Sequence, residues 1–522
     1  MCWLIILSLA VCAHAVTLRV PTQYSTIQAG LNATADGDTV LVDLGVYEEA
    51  LFGPGHSVCV KGNVEADTGN YPRPVIDPSN LPNSNSRHSF VVGSIGTCIL
   101  EDLVFRNGPE MFPRSEPNLS GGVVNFSPNL VVRNCMFDSV YIGLKSDMRA
   151  TLDGCDFIDG VYACVVMPSA SLRAFDCSFD GVSGGWGMIE AGPHSIMERC
   201  SITDRGIGQT VYWHHADSSI IRDCVIRELP IMTASPIVVH GRNCLMERCV
   251  VRDCQIGAPL LSIRGSCAAP ATLRDCLFYG NYGPASWPHS SLLCVTMSKN
   301  EQSSGCNQNV VEGCIFRDGQ SERGSIAISL RWSSTVANNR FVRLSGEMYG
   351  VCTFDDESSA MHNNYFEDCG LGVTTDFRFP VDAEFNWWGD GTGPYHPLLN
   401  PLGQGVSVGD SVDFEPWHLD TTFLAAPEPR PPLPEQASLL AYPNPFNSVT
   451  TIQLTLLRAG IARIELFDIT GRRVKELWSG AVGETRDIQF NASEFASGIY
   501  FVRAWDPLGN RLYAATKIVL LK

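Results

Sequence analysis

Glu190 and His214 each stand ten residues ahead of a cysteine, Cys200 and Cys224, that holds the same place in successive copies of a short repeat. In a stacked structure that spacing would put a carboxylate and an imidazole on neighbouring rungs, the pairing that general acid and base chemistry needs. Tyr212, Trp213, His215, His240 and Arg264 fall near them in the same count. They would add aromatic faces for stacking on a sugar and polar groups for its hydroxyls. His, Tyr and Glu are also ordinary occupants of an exposed sheet, so a patch without chemistry is the competing reading. Asp355, Asp356 and Glu357 form a second cluster whose oxygens would suit Ca2+, or simply a solvated turn. No other cofactor is indicated.

The repeat reads apolar, two or three mostly polar residues, Cys or Asn, any residue, then apolar or aromatic. Copies include Val132-Arg133-Asn134-Cys135-Met136-Phe137, Met246-Glu247-Arg248-Cys249-Val250-Val251 and Met361-His362-Asn363-Asn364-Tyr365-Phe366. From Cys135 to Asn364 the Cys or Asn recurs at intervals of 20 to 27 residues, with one interval of 38. One coil of a solenoid fits that period. Alternation with polar residues puts the apolar, Cys/Asn and aromatic positions on the inward face of a strand. A second apolar strand per coil is read at Cys164-Val165-Val166, Val211-Tyr212-Trp213, Ile237-Val238-Val239 and Ile326-Ala327-Ile328. Stacked coils lie about 4.8 Å apart, so like residues form columns.

Eight of the 20 cysteines hold the ladder position, where Asn339 and Asn364 replace them later. Parallel side chains at that spacing sit beyond the ~3.5–4.5 Å between Cβ atoms that a disulfide wants, so free buried thiols are expected. Cys244 with Cys254, and Cys267 with Cys306, are candidates for pairing outside the ladder. Asp153, Asp223 and Asp275, just ahead of ladder cysteines, are expected at strand starts.

Composition sets the wider bounds. The formal net charge of −18 disfavours nucleic acid as a partner, and 47 Gly with 31 Pro suit an all-β chain rich in turns. Residues 1–15 combine a short apolar run with Ala13-His14-Ala15, the pattern of a secretory signal peptide. No transmembrane segment is expected. Pro21 to Ala29, Ala35 to Val42 and Gly45 to Glu49 read as a short helix, turn and strand that cap the first coil of a β-helix over residues 16–424. Phe385-Asn386-Trp387-Trp388 reads as a plug at the far end. A Pro-rich linker over 425–437 leads to strand-like runs in 438–522, expected as a small antiparallel sandwich.

Ser25-Thr26-Ile27-Gln28-Ala29 with Asp36-Gly37-Asp38-Thr39-Val40, and Asn386-Trp387-Trp388-Gly389 with Gly393-Pro394, resemble the pectin-lyase-like right-handed β-helix superfamily. That resemblance implies a right-handed single-stranded parallel β-helix. The tail is similar to the C-terminal sorting domain of the type IX secretion system, itself related to an immunoglobulin-like module of flagellar hook-capping proteins. Tyr442-Pro443-Asn444-Pro445-Phe446, Gly471 within Leu466 to Val474, and Gly498 within Ser497 to Val502 carry it. The resemblance implies an immunoglobulin-like β-sandwich, outer-membrane secretion machinery as a partner, and a chain secreted or held on the outer surface of a bacterium with two membranes. For the body it leaves three readings: a binder of glycan or another extracellular polymer, a polysaccharide lyase or glycoside hydrolase, or a structural spacer. The paired carboxylates and arginine of a pectate lyase and the aspartate set of a polygalacturonase do not appear as recognisable motifs, which weighs against the second.

Overall fold

The computed structural model describes residues 15–522 apart from 65–72, 82–87, 107–120, 161, 168, 183–187, 205–210, 215–216, 230–235, 256–260, 266–269, 284–294, 300–308, 322–326, 331–333, 347–350, 355–358, 376–379, 425–437, 456–459, 470–471, 483–484 and 507–510. Between Thr17 and Asp413 the strands form three long parallel sheets of 16, 13 and 15 strands, here the first, second and third sheet. A coil passes through them in turn: Asn129–Arg133, then Met136–Asp138, then Ile142–Ser146, before Ala150–Asp153 returns to the first sheet. The coils wind right-handed, as parallel crossovers of twisted strands do.

The repeat segment, expected as one strand, is two strands joined at a corner. Asn134 takes φ 47°, in the left-handed region, and turns the chain so that Cys135 faces the core from the corner itself. Gly154, Asp176, Arg199, Asp223, Arg248, Asp275, Gly313, Asn338 and Asn363 take the same role in later coils. Gly, Asn and Asp tolerate that conformation best. Asp223 and Asp275 are therefore corner residues, not strand starts, and Asp153 ends its strand. The second-sheet strands are only about three residues long, too short for alternation to reveal them as separate elements.

Three columns run through the interior beside the apolar residues of the first and third sheets. Phe105, Phe137, Phe157 and Phe179 stack with ring centroids 4.5–5.1 Å apart, and Phe278, Phe316, Phe341, Phe366 and Trp388 resume the stack at 4.8–5.4 Å. At the first corner the cysteines run from Cys135 to Cys314 and give way to Asn339, Asn364 and Asn386. There each backbone N–H meets the next carboxamide: Cys314 N to Asn339 Oδ1 at 2.8 Å, Asn339 N to Asn364 Oδ1 at 2.9 Å, Asn364 N to Asn386 Oδ1 at 2.8 Å. A third column of small polar residues lines the corner that precedes the first sheet, where Ser219 Oγ accepts from Ser195 N and Ser195 Oγ accepts from Leu172 N.

All the described cysteines are free, the eight ladder thiols among them. Cys244 and Cys254, candidates for a disulfide, are separate buried thiols on different corners, and Cys267 and Cys306 lie outside the described residues. Burial pushes the Cys200, Cys224 and Cys249 thiols well above their ordinary value, and those of Cys244 and Cys254 to about 12.

A helix, Ile27–Asn32, covers the first coil by burying Ile27 and Leu31. Thr26 Oγ1 accepts from Ala29 N, while the Glu49 carboxylate accepts from Ile27 N and Gln28 N at 2.9 and 3.0 Å, satisfying donors that a helix start leaves open. At the other end Asn386 terminates the carboxamide ladder and Trp388 terminates the ring stack.

Residues 438–522 form a separate core between two antiparallel sheets. One contains Ser438–Tyr442, Val449–Thr455 and Thr485–Asn491; the other contains Arg473–Val482, Gly460–Phe467, Gly498–Asp506 and Arg511–Leu520. Among the described residues these are seven antiparallel strands, in keeping with the small sandwich that the strand-like runs suggest.

Candidate functional site

The third sheet carries the sequence-derived candidates. Its strand Val211–His214 alternates between core and non-core positions, with Val211 and Trp213 buried in the core. Trp213 is fully buried and cannot stack on a ligand, which removes it from the candidate set. Tyr212 and His214 hold the alternate positions.

Register decides which of these meet. Glu190 pairs with Val165 on one side and Tyr212 on the other, not with His214. The file continues through Val238, Ser262 and Thr296. His214 pairs with His240, which pairs with Arg264 and then Ser298, in a second file two residues further along each strand. The count of ten fails because the chain from Tyr212 to the corner at Ser219 is two residues longer than from Glu190 to the equivalent Ser195. Turn length between sheets leaves no periodic signal, so spacing from the ladder could not show this.

Glu190 is partly buried, and burial raises its carboxyl above the ordinary glutamate value. His240 is buried with Nε2 3.1 Å from Ser262 Oγ. Two members of this face escaped the sequence reading. Ser262 is the partner of His240, and Lys145, opposite Val165, has its ammonium pKa lowered by burial. Both stand at positions that only the register identifies. His215 and the candidate Ca2+ residues Asp355, Asp356 and Glu357 lie outside the described residues. Among the described residues no group of His, Cys, Asp and Glu is arranged to hold a metal.

In the C-terminal module, Asn444 acts as a clip. Its Nδ2 donates to Lys517 O at 2.7 Å and its Oδ1 accepts from Val519 N at 2.9 Å, matching the edge of the last strand as a backbone amide would. Phe446 N donates to Val519 O at 3.0 Å and its ring is buried in the core. Pro443 O accepts from Thr450 Oγ1, Tyr442 is exposed, and Pro445 lies between the clip and the buried ring. Gly498 opens the central strand Gly498–Asp506; Gly471 lies outside the described residues.

Comparison with known families gives two matches. Residues 142–301 match the right handed beta helix region, and residues 440–512 match the secretion system C-terminal sorting domain. No curated protein sequence matches the chain. Among solved structures, a mutant tailspike protein of E. coli bacteriophage HK620 in complex with a hexasaccharide is 11% identical, with 88% of this chain and 87% of that one covered at a TM-score of 0.36. The Agl-KA catalytic domain is 10% identical over 77% of this chain and 68% of that one at 0.37. The PL6 family alginate lyase AlyGC is 9% identical over 77% and 79% at 0.31. Superpositions this loose leave the chemistry of those proteins with those proteins.

The sorting domain marks the chain for export to the cell surface or the medium. Among the described residues no helix is long and apolar enough to cross a membrane. The chain carries a right-handed parallel β-helix and, after it, a secretion system C-terminal sorting domain of the type IX kind.

Proposed function

We propose that the exported β-helix binds an extracellular glycan, or a comparable surface polymer, along the third sheet over Glu190, Tyr212, His214, His240 and Arg264. The observation that carries this reading is the unbroken file His214, His240, Arg264 on three successive coils. Polar groups repeating at about the 4.8 Å strand spacing give a chain-like ligand a row of contacts along the axis. The sorting module would engage outer-membrane secretion machinery, with the helix spanning 16–424, the linker 425–437 and the module 438–522.

One observation favours a catalytic variant of the same site, as lyase or glycoside hydrolase. A carboxyl raised by burial, as at Glu190, is suited to hold a proton for a leaving group. The test is retention of the full chain on a panel of insoluble polysaccharides, with reducing-sugar release and unsaturated-product absorbance read in parallel, with and without Ca2+. Retention on one polymer, lost in His240→Ala and Arg264→Ala without product formation, supports binding. Turnover abolished by Glu190→Gln supports the catalytic variant. Neither retention nor turnover on any polymer would leave the helix as a structural spacer.

A further inference from the structure

Arg340 and Tyr365 pair in register on the second sheet, away from the files described above. Their neighbours Phe341 and Phe366 are buried in the ring stack, so Arg340, Val342, Tyr365 and Glu367 form the outer side of these strands. With Thr421, from the exposed segment after the last coil, they line a half-open cavity of about 220 Å³.

The polar groups there are held in place. Arg340 Cζ lies 5.6 Å from the centroid of the Tyr365 ring. The Tyr365 hydroxyl donates to Glu367 Oε2 at 2.8 Å. Burial, reinforced by that bond and the Glu367 charge, pushes the phenol up to about 12, so it remains a donor locked onto the carboxylate.

Arg340 breaks the charge pattern of its own surroundings. Arg317 and Arg343 both pair with Asp318, at 3.8 and 2.6 Å, and Arg252 pairs with Asp253. Among the described residues no carboxylate comes within ion-pair distance of the Arg340 guanidinium, in a chain of 55 acidic and 37 basic residues. A planar fork of donors steadied against an aromatic face is the arrangement that takes a carboxylate in two parallel bonds. Glu367 Oε1, which has no partner among the described residues, and the Thr421 hydroxyl supply acceptors for ligand hydroxyls.

We propose that this cavity binds one acidic sugar residue, a uronate at an end or branch of an anionic glycan, through the Arg340 guanidinium, with Glu367 and Thr421 receiving its hydroxyls. The cavity is smaller than the ~300–1,000 Å³ of sites for drug-sized ligands, which suits a single ring. The site stands whether or not the third sheet binds a polymer.

The test is isothermal titration of the full chain with glucuronate, glucose, acetate and sulfate. Glucuronate should bind with a Kd on the order of 1 mM, acetate and sulfate more weakly, and glucose undetectably. Arg340→Gln should weaken glucuronate by at least about tenfold with an unchanged thermal unfolding midpoint, since a charge-assisted bond is lost. Arg340→Lys, which keeps the charge without the planar fork, should fall between the two. Absence of glucuronate binding, equal binding by Arg340→Gln, or equal binding of glucose overturns the proposal. Sulfate binding as tightly as glucuronate overturns its sugar component.

Discussion

Arg248 grips Asp223 across one coil boundary, Nε donating to Oδ1 at 2.7 Å and Nη2 to Oδ2 at 2.8 Å. Arg199 holds Asp176 in the same two-bond manner one pair earlier, at 2.9 and 2.7 Å. One residue before each corner runs a second file, Glu198, Arg222, Glu247, Arg274 and Glu312, and the first four carry signs opposite to those of their corner neighbours Arg199, Asp223, Arg248 and Asp275. Arg222 meets Glu198 at 2.6 Å and Arg274 meets Glu247 at 2.5 Å. The surface of the first sheet is thus a checkerboard. A parallel stack forces identical positions into columns, and alternating sign along and across the columns turns repulsion into attraction.

Reversal of one square should therefore cost more than deletion. Arg222→Glu places a third carboxylate between Glu198 and Glu247, and should destabilise by about 1–3 kcal/mol, with part recovered in 1 M salt because the side chain at position 222 is partly exposed. Arg222→Met should cost less. A double-mutant cycle on Arg248 and Asp223 should return a coupling of about 1 kcal/mol. Urea unfolding of the helix region reads all three, and equal effects of Arg222→Glu and Arg222→Met would refute the checkerboard.

Asn364 both receives and gives within the carboxamide ladder, accepting from Asn339 N and donating Nδ2 to Asn386 Oδ1 at 3.0 Å. Asn364→Leu leaves the buried Asn339 N–H without its acceptor, at about 1–3 kcal/mol, while Asn386 Oδ1 keeps the bond from the backbone N–H of residue 364 and loses only the one from Nδ2. Asn364→Ser should be milder. Thermal unfolding distinguishes the two, and a Leu variant as stable as the parent would mean the ladder contributes packing alone.

The ladder thiols should be chemically silent. Burial holds Cys200, Cys224 and Cys249 as neutral thiols, and thiolate is the reactive form. In the folded chain at pH 8 an aromatic disulfide reagent should leave the eight ladder cysteines unlabelled for hours, and denaturant should release them together. Rapid native labelling of Cys224 or Cys249, mapped by mass spectrometry, would contradict this.

Acid should loosen the checkerboard. Burial pushes the Glu247 carboxyl up, but bonds and charge from Arg274 and Arg248 outweigh it and hold it below its ordinary value; Arg343 likewise holds Asp318 down. A carboxyl depressed in the folded state contributes stability above its unfolded pKa, about 4, and loses it as pH falls through the folded value. The unfolding midpoint should be flat from pH 7 to 5 and fall below about pH 4. In Glu247→Gln that fall should be shallower.

Much of this molecule is written along the chain. The ladder interval announces a solenoid because a parallel stack repeats its inward residues once per coil, and Cys135 to Asn364 obey that interval. The tail motif around Asn444 is legible for a similar reason: a carboxamide that must replace a backbone amide has few substitutes. Tertiary structure decided what lay between the ladder positions. Left-handed corners at Asn134 and Asp223 split one apparent strand into two, which no alternation pattern records. Turn length between the third and first sheets set Glu190 opposite Tyr212 and His214 opposite His240. Inward packing took Trp213 from the candidate surface into the core. Spacing along a chain reports the repeat, but which residues face each other depends on the lengths of the turns, and those answer to closure of each coil.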